Sequence, residues 1–375
     1  MASIGIAGAG LLGRLLAWQL ARVGHMVQVF DPAPGPEPLY DGRGAAGFSA
    51  AGMLSPLAEL DHADTGIASL GWRSIALWPS IAARLGQPQL FSQRGSLLLA
   101  HRADRGAAER VLARLARAPA AWPRPRALDA AALDTLEPAV HGVAHAWLLP
   151  GEAQVDPPAM LRRLHERAEG VDWHWGCRIA RVLPGTLVGE DGRARHVDTV
   201  FDVRGLGARD AAGSTPCEAP ALAQLRGVRG ETVWLHAPAH GLERPLRLLH
   251  PRHPVYVVPR GPHHIFLGAS EVESEDRSAV SLRSAVELMA AAHSALPALA
   301  EARIERLDRN LRPALPDNGP HTEVAPGLVR INGLFRHGWL MAPALVADAL
   351  AATGLLPAMG AMAHTPVFPG DTLHA

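Results

Sequence analysis

The chain of 375 residues contains no lysine, so all 36 of its basic residues are arginine. Without lysine the protein has no side chain suited to forming a Schiff base, and that class of covalent catalysis is excluded. Acidic residues also number 36, which makes the formal net charge zero. No basic face stands out, so we expect no nucleic-acid partner.

Cysteine is also scarce, since Cys177 and Cys217 are the only two and their spacing matches no metal or redox motif. This scarcity favours a reducing compartment. No long uncharged apolar run is present, so we expect no membrane span. The apolar N-terminus lacks the basic region of a signal peptide, and we therefore expect a cytoplasmic protein.

Histidines occur in pairs at 250/253 and 263/264, without companion cysteines or clustered carboxylates. A zinc-type site needs about four such ligands, so we expect no metal site.

The first segment, residues 4–31, has the pattern of a dinucleotide-binding unit. An apolar run at 4–7 predicts a buried strand, a helix is predicted from about 11 to 22, and 26–30 predicts a second strand. The turn after the first strand reads G-x-G-x-x-G, with residues Gly8, Ala9, Gly10, Leu11, Leu12 and Gly13.

Each glycine of this motif has a physical reason. Gly8 allows the tight turn, Gly10 lets a pyrophosphate approach the backbone, and Gly13 lets the helix pack close to the strand. The helix N-terminus attracts phosphate, and Asp31 can accept hydrogen bonds from a ribose. Glycines also mark ordinary turns, but the order strand, helix, strand, acid favours the dinucleotide.

A segment of small residues follows at 48–54 and is predicted to begin a helix. It contains Ser49, Ala50, Ala51, Gly52 and Met53. Small side chains there let backbone N–H groups reach a ligand, or else permit a tightly packed helix start; the sequence leaves both readings open.

The remaining chain alternates between two patterns. A strand at 199–203 that runs into Gly205 resembles a return to the nucleotide-binding sheet, whereas alternating apolar positions at 228–235, 256–258 and 265–267 predict a second, antiparallel sheet. We therefore predict an α/β protein with a discontinuous Rossmann-like first domain and a second, substrate-binding domain. The first comprises 1–85, 150–222 and 305–375, and the second comprises 86–149 and 223–304.

The whole pattern resembles the flavin-dependent amino acid oxidases of the D-amino acid oxidase superfamily, closest to glycine oxidase. The resemblance runs along nearly the whole chain, and its later landmarks favour FAD over a nicotinamide cofactor. These landmarks are 8–13 with Asp31, 49–53, 229–231, 256–260, 311–313 and 335–343.

The resemblance implies roles for several residues. Residues 50–53 would line the pyrophosphate and flavin, and the strand near Arg178 would lie beside the adenine. Gly205 stands where relatives often have a different glycine-containing segment. The flavin's pyrimidine end would contact Arg336, His337, Gly338, Trp339 and Leu340. FAD is expected to be non-covalent, because neither cysteine stands where some relatives attach the flavin.

The implied reaction moves a hydride from the Cα of a neutral amine to flavin N5 and gives an imine that water hydrolyses. The substrate would be glycine, a small N-substituted glycine or a small amino acid. Arg312 suits a carboxylate because its guanidinium offers two parallel donors, and Tyr256 would donate to the same group. The alternatives are a surface ion pair for Arg312 and a structural partner for Tyr256. Arg336 would be a further polar group near the substrate.

No acid or base is assigned, and His62 and His337 stay without a role. Oxygen or another acceptor would reoxidise the flavin, and the protein is a possible homo-oligomer. In similar glycine oxidases the product feeds thiazole formation for thiamine. The alternatives are a D-amino acid dehydrogenase that passes electrons to a quinone, and a non-catalytic flavoprotein subunit. A nicotinamide-dependent dehydrogenase is disfavoured by residues 331–343.

Overall fold

The computed structural model describes residues 1–210, 220–249 and 255–356. Cys217, His250 and His253 lie outside these ranges, as do parts of the predicted segments 150–222, 223–304 and 305–375. Within them, the helices are α1 Leu11–Arg22, α2 Pro56–Glu59, α3 Thr65–Arg84, α4 Arg105–Leu115, α5 Ala130–Leu136, α6 Pro157–Glu166, α7 Gly207–Asp210, α8 Leu282–Ala295 and α9 Gly338–Ala352. In these ranges no helix combines the length and apolar character needed to cross a bilayer.

The strands of the same ranges follow in chain order. They are β1 Ser3–Ala7, β2 Met26–Asp31, β3 Met53–Leu54, β4 Phe91–Ser92, β5 Ser96–Ala100, β6 Arg126–Leu128, β7 His145–Leu149, β8 Ala153–Val155, β9 Asp172–Trp175, β10 Ile179–Leu183, β11 Thr186–Gly189, β12 Ala194–His196, β13 Thr199–Asp202, β14 Arg226–His236, β15 Leu246–Leu249, β16 Val255–Arg260, β17 His264–Gly268, β18 Arg303–Ala314, β19 His321–Ala325 and β20 Leu328–Asn332.

The first sheet has the order β19-β20-β13-β1-β2-β9. All its pairs are parallel except β19 with β20. The predicted strand, helix and second strand of the opening segment are confirmed as β1, α1 and β2. Leu15, Leu16 and Leu20 of α1 are fully buried, so the helix packs its apolar face on the sheet. Parallel strands with a crossover helix put their carboxyl ends, and the loops that follow, at one edge.

The second sheet has the order β18-β14-β17-β16-β15-β5-β7-β6. The strands predicted from alternation are confirmed as β14, β16 and β17. The sheet is antiparallel apart from the pair β15 with β5, which is parallel. The α/β class with one Rossmann-like sheet and one mainly antiparallel sheet is therefore confirmed.

The observed strand pairing differs from the predicted domain boundaries at one place. Residues from 305 onward are predicted with the first domain, but β18 pairs with β14 along the stretch from Ala314 opposite Arg226 to Arg303 opposite His236. That long ladder satisfies the backbone groups of residues 303–314 within the second sheet. The chain rejoins the first sheet with β19 and β20, and the remaining boundaries stay a prediction.

The helix predicted to begin within 48–54 is wrong. A 3-10 turn spans Ala46–Ser49, and the chain then extends into β3, which pairs with β8. Gly52 has a φ of +66°, a left-handed conformation that interrupts a helix and favours glycine. The short helix α2 starts only after this turn, and it positions Glu59.

Candidate active site

A cavity of about 1720 Å³ lies between the two sheets. One end is formed where β1, β2, β13 and β20 reach their carboxyl edge, by residues that include Gly8, Asp31 and Val203. The other end is formed by the second sheet, with Tyr256 and Arg312. A ligand that spans both ends would place one part on the Rossmann-like edge and the other on the antiparallel sheet.

The glycine turn at the first end leaves its backbone open to the cavity. Gly8 has a φ of +104°, and a Cβ there would lie 2.7 Å from the carbonyl oxygen of Val203. A Cβ on Gly13 would collide with the carbonyl oxygen of Gly8, so this glycine lets α1 pack on the turn as predicted. At Gly10, by contrast, the only neighbour of an added Cβ within 4 Å among the described residues would be the Cβ of Ala45, at 3.7 Å.

Packing within the protein therefore does not require glycine at position 10. A ligand that approaches the backbone closely at this position would require it. Within the described part of the chain, no side chain caps the N-terminus of α1, so its N–H groups remain available to an anion. The turn fits the pyrophosphate of a dinucleotide such as FAD.

Asp31 is held rigidly beside this turn. Its Oδ2 accepts a hydrogen bond from the N–H of Ala9 at 2.6 Å, and its Oδ1 accepts one from the N–H of Ala33 at 2.8 Å. A carboxylate oxygen can accept more than one hydrogen bond, so these contacts orient the carboxylate and leave it able to accept from a ribose.

A second helix N-terminus, that of α9, faces the same cavity. No side chain caps it, and a Cβ on Gly338 would meet nothing within 4 Å. Trp339 fixes the position of this helix start, because its Nε1 donates to the carbonyl of Gly47 at 3.0 Å. The ring of Trp339 also stacks on Trp78 of α3, with 5.6 Å between centroids. The cavity thus has two polar, uncapped helix starts in its wall.

Most of the predicted cofactor-binding residues line the cavity. They are Gly8, Gly10, Leu11, Leu12, Asp31, Ser49, Ala50, Ala51, Gly52, Met53, Arg178, Gly205, Arg336, His337, Gly338 and Trp339. The other three, Ala9, Gly13 and Leu340, lie behind the wall. Leu340 is buried against α3, where a Cβ on Gly71 would lie 2.7 Å from its Cδ1.

Arg312 and Tyr256 come together at the second end of the cavity. Nη1 of Arg312 donates to the carbonyl of Ser270 at 3.2 Å, and the guanidinium lies close enough to the Tyr256 hydroxyl for its charge to act on the pKa of that phenol. Among the described residues, no aspartate or glutamate lies within ion-pair distance of Arg312. Burial raises the pKa of Tyr256, so its hydroxyl stays protonated and can donate. This pair can bind a carboxylate.

Two glycines make room for this pair. A Cβ on Gly230 would lie 2.5 Å from Cζ of Arg312 and 2.7 Å from its Nη1. A Cβ on Gly268, which stands opposite Tyr256 in the β16–β17 pair, would lie 2.6 Å from Cζ of that ring. The guanidinium and the phenol therefore lie flat on backbone that carries no side chains.

The sequence analysis missed Glu59 and Arg247. Glu59 Oε2 lies 2.9 Å from Nη2 of Arg336 and 3.0 Å from Nε2 of His337, and its Oε1 lies 3.2 Å from Nη2 of Arg247. Although burial opposes ionisation, the charge of Arg336 and the bond from His337 hold the pKa of Glu59 well below its usual range. Arg336 is thus paired inside the protein, and its Nη1 also lies 3.4 Å from Glu271.

The two histidines left without a role have acidic partners. His337 is buried against Glu59, and Nε2 of His62 lies 2.9 Å from Oδ2 of Asp61. Arg178 lies 3.2 Å from Glu190, and Gly205 uses its carbonyl to accept from Asn332 at 3.0 Å. Within the described ranges, no group of three or more histidines, cysteines or carboxylates could hold a metal ion.

Comparison with known proteins identifies the family. The family described as "FAD dependent oxidoreductase" matches residues 3–353. The chain belongs to this family. This chain is 36% identical over 342 residues to the putative thiamine biosynthesis oxidoreductase ThiO of Rhizobium etli. The alignment covers 91% of this chain and 93% of that protein.

Solved structures agree on the fold. The glycine oxidase of Geobacillus kaustophilus superposes with a TM-score of 0.78 at 22% identity, covering 94% of this chain and 95% of that one. The iminodiacetate oxidase IdaA of Chelativorans sp. superposes with a TM-score of 0.74 at 25% identity, with the same coverage of 94% and 95%. The expected resemblance to flavin-dependent amino acid oxidases of the D-amino acid oxidase superfamily, glycine oxidase among them, is confirmed.

Proposed function

We propose that this oxidoreductase oxidises glycine, a small N-substituted glycine or a small amino acid, using non-covalently bound FAD. The observation that carries the proposal is the pairing of Arg312 and Tyr256 at one end of a cavity whose other end is an open glycine turn. The similarity to a ThiO protein and to a glycine oxidase structure supports the same substrate class, and a role in thiamine formation is part of the proposal.

The wall residues suit the parts of FAD. The turn at Gly8 and Gly10 and the uncapped start of α1 would hold the pyrophosphate, and Asp31 would accept from the ribose. The start of α9 at Gly338 would offer N–H groups to the ring. Cys177 packs against an apolar cluster that includes Val182 and Leu187 and is not among the residues that line the cavity, which supports non-covalent binding.

Bound FAD supplies the acceptor for the two electrons and the hydrogen that leave Cα. The protein's own residues position the substrate. Arg312 would grip the carboxylate through parallel donors, and the protonated hydroxyl of Tyr256 would add a further bond. With the carboxylate fixed at one end, Cα is held in a single orientation, which is the main requirement when a cofactor carries out the chemistry.

No side chain needs to act as a base if the amine binds in its neutral form. The buried acidic group of this region, Glu59, is already occupied by Arg336, His337 and Arg247, and the more exposed Glu271 also faces Arg336. A carboxylate whose pKa is held low by three cationic or donor groups is a weak proton acceptor. We therefore assign the protein's contribution to binding and orientation, with no acid or base.

The test is anaerobic reduction of the purified yellow holoenzyme by glycine, sarcosine, D-alanine and L-proline. We expect glycine or sarcosine to bleach the flavin. Subsequent addition of air distinguishes an oxidase, whose flavin regains its colour at once, from a dehydrogenase that needs another acceptor such as a quinone. A holoenzyme that no amino acid reduces would contradict the proposal and favour a non-catalytic flavoprotein subunit.

A further inference from the structure

Three arginines line the substrate end of the cavity, and they differ in their partners. Arg336 and Arg247 both contact Glu59, at 2.9 Å and 3.2 Å. Arg312 has no acidic partner among the described residues. One buried carboxylate thus holds two of the three guanidinium groups and leaves the third for a ligand.

Glu59 is well placed to occupy these cations permanently. Its side chain is only 10% exposed, and it lies at the end of α2. The backbone N–H of the preceding residue, Ala58, donates to Oε1 of the buried Glu152 at 2.9 Å. This bond anchors the short helix. A carboxylate fixed in this way competes with any second carboxylate for the same donors.

Arg247 retains unused binding capacity. Its Nε is buried and has no hydrogen-bond partner within the described part of the chain. Arg247 also stands directly opposite Tyr256 in the β15–β16 pair. Side chains of directly opposed residues lie on the same face of a sheet. Arg247 therefore projects from the same face as the tyrosine that would contact the substrate carboxylate.

We propose that Glu59 determines specificity by restricting the substrate to a single carboxylate. It would do so by occupying Arg247 and Arg336, which would otherwise bind a second carboxylate. This inference rests on the proposed placement of the substrate carboxylate at Arg312. A second anionic group would meet the charge of Glu59 and would have to compete with that fixed carboxylate for Arg247 and Arg336, so amino dicarboxylates such as aspartate would be disfavoured by repulsion as well as by competition for donors.

The first test compares two acids that cannot be oxidised, acetate and malonate, at a pH where malonate carries two charges. Their dissociation constants for the wild-type holoenzyme are measured by calorimetry and by perturbation of the flavin absorbance. We expect acetate to bind more tightly than malonate. Malonate that binds as tightly as acetate would overturn the inference, whether or not any variant folds.

The second test uses Glu59→Gln. Removal of the negative charge should shift the ratio of acetate to malonate dissociation constants by roughly tenfold in favour of malonate, the change expected for one additional bond to a charged group. The double variant Glu59→Gln/Arg247→Met should lose most of this gain, because the freed Arg247 is gone and Arg336 still faces Glu271. A ratio that stays at the wild-type value in Glu59→Gln would overturn the inference.

Glu271→Gln is the matched control, because Glu271 also faces Arg336 but its side chain is 49% exposed. We expect a smaller shift in the ratio than for Glu59→Gln, since an exposed ion pair is weak, and an equal shift would contradict the assignment to Glu59. The proposed oxidation is tested separately, by flavin reduction with glycine. A holoenzyme that binds acetate but is not reduced would refute the oxidation alone, whereas the acid ratios would still report on Glu59.

Discussion

Replacing Gly230 with alanine should weaken substrate binding without weakening the fold. Gly230 lies within β14, and the new Cβ would come within 2.5 Å of Cζ of Arg312. The obstructed atoms are the far end of a long, flexible side chain, so the guanidinium can move aside at little cost. The strand itself gains from alanine, because glycine loses more conformational freedom on folding.

The size of the effect follows from the displacement. Carbon contacts are comfortable at about 3.5–4.0 Å, so the guanidinium must move by about 1 Å, enough to disturb a parallel two-donor grip on a carboxylate. A hydrogen bond to a charged group contributes about 1.5–3 kcal/mol. We therefore expect the glycine concentration that half-reduces the flavin to rise by roughly 10- to 100-fold.

The assay is anaerobic flavin reduction against glycine concentration, together with FAD content and melting temperature. Gly106→Ala serves as the control, because Gly106 is exposed on α4 and its new Cβ would meet only Nη1 of Arg110, at 3.7 Å. In an Arg312→Ala background, Gly230→Ala should have no further effect on glycine. An unchanged half-saturation value in Gly230→Ala, or a further loss in the Arg312→Ala background, would refute the reasoning.

Other substitutions separate cofactor, substrate and stability effects. Gly13→Ala should abolish FAD retention, because its Cβ would collide with backbone; a normally yellow variant would disagree. Arg312→Ala should keep FAD but raise the half-saturating glycine concentration at least as much as Gly230→Ala, with an unchanged value arguing against a carboxylate site there. Glu152→Gln should gain stability relative to wild type as pH rises from about 4.5 to about 7, by up to roughly 3 kcal/mol, since burial raises the pKa of Glu152 from 4.5 to about 7 and the unfolded chain ionises first. Urea unfolding from pH 4 to 8 measures this difference, which parallel pH curves would contradict.

The structure at the cofactor end of the cavity could be predicted from the sequence because most of the interactions that form it are local in the chain. The strand, the glycine turn and α1 are consecutive in the chain. Gly13 is required by the carbonyl of Gly8 in the same turn, Gly10 faces open space, and Gly8 alone is also crowded by a distant residue, Val203. Local patterns of this kind predict structure well, since the hydrophobic period and the turn chemistry agree. The helix predicted for residues 48–54 was wrong because the conformation of this segment depends on pairing with β8, a strand about 100 residues later in the chain.

The residues of the substrate end could be predicted only in part, because they interact with residues that are distant in the chain. The resemblance directed attention to Arg312 and Arg336, but composition alone could not separate one arginine from another among 36. What distinguishes them is the partner: Glu59 reaches Arg336 and Arg247 from positions 277 and 188 residues away in the chain. Arg247 did leave a weaker signal, because it stands between Leu246 and Leu248 in a strand, and alternation places its charged side chain on the opposite sheet face from the two leucines.

The sheet that carries the substrate end also shows how missing side chains shape a site. Gly230 and Gly268 lie within or at the end of β14 and β17, where glycine weakens a strand unless something must lie against the backbone. Here the guanidinium of Arg312 and the ring of Tyr256 fill the spaces that those two glycines leave. The same flat packing fixes both groups before a substrate arrives, so less ordering remains to be done on binding. Under the proposed function, the two strand glycines would therefore help to set how accurately Arg312 and Tyr256 present a carboxylate to the cofactor end of the cavity.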